Sequence, residues 1–111
     1  MFLQCGRVEV EKDVEKGTSI YGASFEDESF QVKHTEIGLL GMCKRGGLSH
    51  TNECQFYVTT GSPLTFLDNV NVVFGRVIQG MRAFKLVEKI ETTNERPNDA
   101  VKIVKTGVFT K

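Results

Sequence analysis

The sequence predicts a mainly β fold, an antiparallel barrel or sandwich with one amphipathic helix near the C-terminus. Three observations carry this. Runs rich in apolar, aromatic and β-branched residues stand at Gly38-Leu39-Leu40-Gly41-Met42-Cys43, Gln55-Phe56-Tyr57-Val58-Thr59-Thr60 and Val72-Val73-Phe74-Gly75-Arg76-Val77-Ile78. After Gly80 the apolar residues instead recur every third position, at Met81, Phe84, Val87 and Ile90, which is helical spacing. Strands and helices do not alternate in the rhythm that a doubly wound parallel sheet requires.

From the N-terminus, Phe2, Val8 and Val10 give a weak alternation that fits one strand, followed by the charged run Glu11-Lys12-Asp13-Val14-Glu15-Lys16-Gly17, a solvated turn. Ser19-Ile20-Tyr21-Gly22 and Phe25-Glu26-Asp27-Glu28-Ser29-Phe30 mix spaced aromatics with acids over too short a span for a long helix. A single helical turn or an ordered loop is expected there. The three strong strands come next, the first two separated by a polar, glycine-containing loop. The helix from Met81 should run about three turns, with its apolar stripe buried as core. Pro97 closes the linker, and Val101-Lys102-Ile103-Val104-Lys105 resumes extended structure towards Gly107-Val108-Phe109.

Length and composition set the class. The 111 residues are 40% hydrophobic and 25% charged, as in one globular domain, and no repeat or linker marks a second. Lys plus Arg equals Asp plus Glu at 14 each, so no strong field favours nucleic acid or an anionic membrane; other protein chains are the expected partners. No apolar run approaches the length of a membrane span. The first residues lack the basic and apolar regions of a signal peptide, and a cytoplasmic chain is expected. Cys5, Cys43 and Cys54 have no CxxC spacing and, with only His34 and His50, match no common zinc pattern. Reduced thiols and hydrogen-bonded or surface histidines are the expected state.

Seven motifs in order, Ser19-Ile20-Tyr21-Gly22, Phe25-Glu26-Asp27-Glu28, Lys33-His34, Gly38-Leu39-Leu40-Gly41-Met42, Gln55-Phe56-Tyr57, Phe66-Leu67-Asp68 and Val72-Val73-Phe74-Gly75-Arg76-Val77, closely resemble the cyclophilin family. The resemblance runs from Met1 to about Phe109, and Asn94-Glu95-Arg96-Pro97 is similar to the peptidyl-prolyl isomerase-like branch. It implies a closed eight-stranded antiparallel barrel capped by two helices, and an activity that interconverts cis and trans X-Pro bonds. Residues 1–111 would then form a partial cyclophilin-like domain, an incomplete barrel whose first strands and first helix precede Met1.

The barrier to that reaction is the lost amide resonance, about 18–20 kcal/mol, and the two X-Pro end states lie close in energy. No nucleophile, metal or other cofactor is implied. What is needed is a pocket for the proline ring, groups that fix the neighbouring carbonyl, and a donor aimed at the imide nitrogen. The resemblance places the donor, an arginine, before Met1, outside this sequence. It matches the family's orienting glutamine to Gln4, the apolar wall to Met1 and Phe2, a second groove glutamine to Gln55, a pocket aromatic that is usually phenylalanine to Tyr57, and the pocket leucine to Leu67. Phe66 stands where some members carry tryptophan. Asn71 replaces a usual histidine, Cys43-Lys44-Arg45 replaces small or amide residues on the groove floor, where two long cations would crowd the substrate, and the loop at 46–54 is longer.

The expected function is therefore a cyclophilin-like scaffold or binding module inside a larger protein assembly, with little or no isomerase activity. Proline-containing segments of other chains are expected ligands, with no nucleic acid and no membrane. The alternative is an active isomerase whose N-terminal part lies outside this sequence. Members resembling this branch serve in spliceosomes and in ciliary radial spokes, and the resemblance favours the cilium. Apolar faces at Val8, Val10, Val101, Ile103 and Val108 are expected to flank unpaired sheet edges.

Overall fold

The computed structural model describes residues 2–6, 19–21, 24–44, 48–61, 64–93 and 96–109. Its centre is a four-stranded antiparallel sheet of β1 (Phe2–Cys5), β2 (Leu39–Lys44), β3 (Asn52–Thr59) and β4 (Val73–Arg76), in the order β1-β3-β2-β4. A 3-10 turn at Thr65–Leu67 precedes β4, α1 (Met81–Glu88) follows it, and β5 (Thr92–Thr93) pairs with β6 (Arg96–Pro97). Among the described residues the fold is thus mainly β with one helix, and the sheet does not close on itself.

The three strong strand motifs form β2, β3 and β4, while β3 starts at Asn52, ahead of its aromatic run. Phe25 reaches Asn52 through an isolated bridge with backbone bonds of 2.8 and 3.3 Å. No helix forms at 25–30; the segment is the ordered loop of the two alternatives. Gly80 enters α1 in the left-handed region at φ 85, which a glycine adopts without a Cβ penalty. Between Met42 and Lys44 the β2–β3 register shifts, Met42 opposing Phe56 and Lys44 opposing Asn52. Such bulges bend a strand and re-aim its side chains.

The core is small and unusually polar. Leu39, Tyr57, Val58, Leu64, Val72 and Val73 are its buried apolar members, whereas three of the four most deeply buried large side chains, His34, Asn52 and Thr59, are polar. Each must find partners inside. Thr59 accepts from the Leu39 N–H and donates to the Glu36 carbonyl, both at 3.0 Å. The Asn52 amide donates to the Asp27 carboxylate at 2.8 Å and the Phe25 carbonyl at 3.0 Å.

Three sequence expectations are corrected. The helical stripe is only half-buried: Met81, Phe84, Val87 and Ile90 are partly covered while the residues between them are exposed, and the helix has eight residues rather than about three turns. Its start lies against the sheet, where a Cβ added to Gly38 would meet the Met81 sulfur at 3.5 Å, and the partial cover continues along the stripe through Phe84, Val87 and Ile90 while the other face meets solvent. Residues 101–109 form no ladder with the described residues, and Val104, Val108 and Phe109 are more than 90% exposed. An alternating pattern becomes a strand only beside a partner strand. Finally, Lys44 does not crowd the groove floor. After the bulge its ammonium turns inward to Asp27 at 2.8 Å, and both side chains are almost wholly buried. Val8, Val10 and Arg45 lie outside the described residues.

Candidate functional site

Strand alternation builds the first wall. In β1, Phe2 and Gln4 point to one face, and register sets Gln4 opposite Tyr57 and Phe2 opposite Thr59. The Phe2 and Tyr57 rings meet with centroids 5.4 Å apart, tilted by 55°. Gln55 is the diagonal neighbour of Gln4 on the same face, close enough for long side chains to touch; the Gln4 amide donates to its oxygen at 2.7 Å. Phe2, Gln4, Gln55 and Tyr57, matched to the groove by resemblance, are thus brought together.

The second wall is the turn at 64–68, where Phe66 is 63% exposed and Leu67 is half-buried. Asn71, half-buried, donates its amide to the Met42 carbonyl on β2 at 2.9 Å. Met1 lies outside the described residues.

Between the walls runs a buried polar chain. The phenolic oxygen of Tyr57 lies 2.5 Å from Nε2 of His34, whose Nδ1 lies 2.8 Å from the Asp68 carboxylate. The His34 backbone N–H donates to the same carboxylate oxygen at 2.7 Å. These two donors, the backbone one foremost, hold the Asp68 carboxyl below its ordinary value. An ionised carboxylate only accepts, so Nδ1 carries the hydrogen; in the neutral ring Nε2 then accepts from the Tyr57 hydroxyl. Burial, then the nearby Cys43 and Asp68, push the Tyr57 phenol well above its usual range, so it remains a donor. The motif matching had flagged His34 and Asp68 only as family landmarks. The signal for their role was Tyr57 itself, because a buried tyrosine hydroxyl in place of phenylalanine needs a partner.

Gly41 makes room for this arrangement. A Cβ there would fall within the Tyr57 ring and against its hydroxyl. Tyr57 is consequently only 2% exposed.

Cys5, Cys43 and Cys54 are free and half-buried on neighbouring strands, and burial, reinforced by the other two thiols, pushes Cys43 up to about 12. Among the described residues no cluster of three or more His, Cys, Asp or Glu side chains is disposed to hold a metal ion.

The comparisons with known proteins agree with this geometry. The family model described as cyclophilin type peptidyl-prolyl cis-trans isomerase/CLD matches residues 1–108. The chain is 42% identical over 95 residues to peptidyl-prolyl cis-trans isomerase B of Saccharomyces cerevisiae, which covers 85% of this chain and 45% of the yeast protein. It is 43% identical over 93 residues to the mouse protein named "Probable inactive peptidyl-prolyl cis-trans isomerase-like 6", covering 84% of this chain and 29% of that one. The chain therefore spans half or less of the length of these two relatives. A crystal structure of a Cryptosporidium parvum cyclophilin-type isomerase, determined in the presence of the dipeptide Ala-Pro, superposes with a TM-score of 0.75 at 29% identity, over 88% of this chain and 61% of that one. Fold, groove residues and matched family model together place this chain in the cyclophilin-type peptidyl-prolyl cis-trans isomerase family.

Proposed function

We propose that this chain is a cyclophilin-like binding or scaffold module in a larger protein assembly, engaging proline-containing segments of partner chains with little or no isomerase activity. One observation carries the reading: the polar groups of the candidate groove are engaged within the protein. Gln4 bonds Gln55, Tyr57 bonds His34 and Asn71 bonds a β2 carbonyl. Lys44, the floor cation expected from sequence, is committed to Asp27 and the Val70 carbonyl. None of these is a charged donor free to meet an imide nitrogen as it loses conjugation, and removing one preorganised donor costs about 10²–10³ in rate. Similarity to a relative whose name calls it probably inactive supports the same reading, and the relative crystallised with Ala-Pro supports proline as the recognised group.

The assembly we propose is the ciliary radial spoke, on the resemblance to the isomerase-like branch. A protease-coupled assay on a proline peptide tests the first part, with turnover at least about 10²-fold below an ordinary cyclophilin expected; near-ordinary turnover refutes it. Extraction of the native protein with axonemes tests the second, and recovery wholly in the soluble fraction refutes it.

A further inference from the structure

The chain of bonds behind Tyr57 ends at the opposite wall of the groove. His34 is fastened to the 64–68 turn three times: its N–H and Nδ1 to Asp68, at 2.7 and 2.8 Å, and its carbonyl to the Leu64 N–H at 3.1 Å. Asp68 directly follows Leu67. The remaining ring nitrogen of His34 holds Tyr57 at 2.5 Å, and Tyr57 supports Phe2 from below. With 2% of its surface exposed, Tyr57 offers a ligand almost no contact area. Its place in the site is that of a prop.

We propose that His34 is a positioning residue which, through Tyr57, fixes the Phe2 wall of the groove relative to the Leu67 wall and so sets the fit of a proline ring between them. This rests on the proline-binding reading above. A tyrosine tethered at its hydroxyl and pressed onto Gly41 cannot swing outward, so Phe2 keeps one seat. A ring without that tether would let β1, an edge strand with one neighbour among the described residues, shift against the turn. Re-immobilising a freed side chain on binding costs roughly three- to tenfold in affinity, within the usual range for one ordered side chain.

The test titrates the full chain with the dipeptide Ala-Pro by NMR, for wild type, His34→Leu, Tyr57→Phe and the double variant. Because all three variants remove the same bond, each should weaken binding by the same three- to tenfold, with the double no worse than the singles, and the Phe2 ring resonances should move in each. Additive losses overturn the proposal. So does unchanged affinity in folded variants, which leaves the proline-binding reading standing and assigns the bond to stability alone. A nitrogen spectrum of His34 reads the tether without ligand. If it reports the Nδ1–H tautomer while wild type binds no Ala-Pro, the proline-binding reading fails and the pocket role fails with it, although the tether exists. Should His34→Leu not fold, Tyr57→Phe, the conservative change, decides by the same criterion.

Discussion

Replacing Lys44 by methionine tests the inward turn of this residue, because methionine keeps the length of the stem and removes the charge. The ammonium sits 2.8 Å from the Asp27 carboxylate with side chains only 2% and 3% exposed. At an effective dielectric near 20 the attraction at that distance is about 6 kcal/mol, against a desolvation penalty of several kcal/mol for each ion, so the pair itself is near neutral. Removing one partner is not. Asp27 would keep the Asn52 amide and the His50 N–H, and the Val70 carbonyl would lose its donor, so a loss of about 3 kcal/mol is expected, at the low end for an orphaned buried charge. The second change, Asp27→Leu in the Lys44→Met background, should recover most of it. Acidity provides a signature. Burial acts to raise the Asp27 pKa, but the Lys44, His50 and Asn52 contacts outweigh it and hold the group below 3.8. A depressed carboxylate contributes stability that is present above its unfolded value and lost as the pH falls through its folded one. Without Lys44 the folded value rises, so the variant's deficit in urea denaturation should shrink as the pH drops from 7 towards 4. A loss under about 1 kcal/mol, constant over that interval, would refute the buried-pair argument.

Other outcomes follow from packing and exposure. Gly41→Ala should cost at least about 3 kcal/mol in urea unfolding, the upper end for an overpacked site, because the new methyl falls within the Tyr57 ring; a neutral effect would show that the ring is not where we place it. Cys43, with its thiol pushed up to about 12 by burial first, should resist iodoacetamide at pH 8 until urea is added, whereas prompt labelling in the folded protein contradicts this. The 111-residue chain alone should associate, since Phe74, Ile78, Val104, Val108 and Phe109 are all more than half exposed. Sedimentation as a monomer with concentration-independent unfolding would oppose that expectation.

Legibility in the sequence followed the range of the interactions. The strands β2, β3 and β4 and the helix α1 were readable because residues such as Phe56, Val58 and Phe84 declare a period within a few positions of the chain. Residues 101–105 declare a period too, yet ladder formation depends on a neighbour that no local pattern contains. Lys44 was misplaced because three residues of β3, 53–55, stand against Cys43 alone, and a bulge is a property of two strands, not one. On the candidate groove, Gln4, Gln55, Phe2 and Tyr57 came from motif matching and the register put them on one face. The tie through His34 to Asp68 joins positions 34 and 23 residues apart; only the extra hydroxyl of Tyr57 hinted that something polar waited behind it.

The polarity of the core bears on how this protein responds to temperature. Exposing apolar surface raises the heat capacity on unfolding, while exposing polar surface lowers it. With His34, Asn52 and Thr59 among the four most deeply buried side chains, unfolding releases a large polar share for each apolar one. The increment should therefore fall below the usual 12–15 cal/mol/K per residue, roughly speaking, and the stability curve flattens. For a given midpoint and unfolding enthalpy its maximum then lies higher and is broader than that of a more apolar core, and cooling takes less from it.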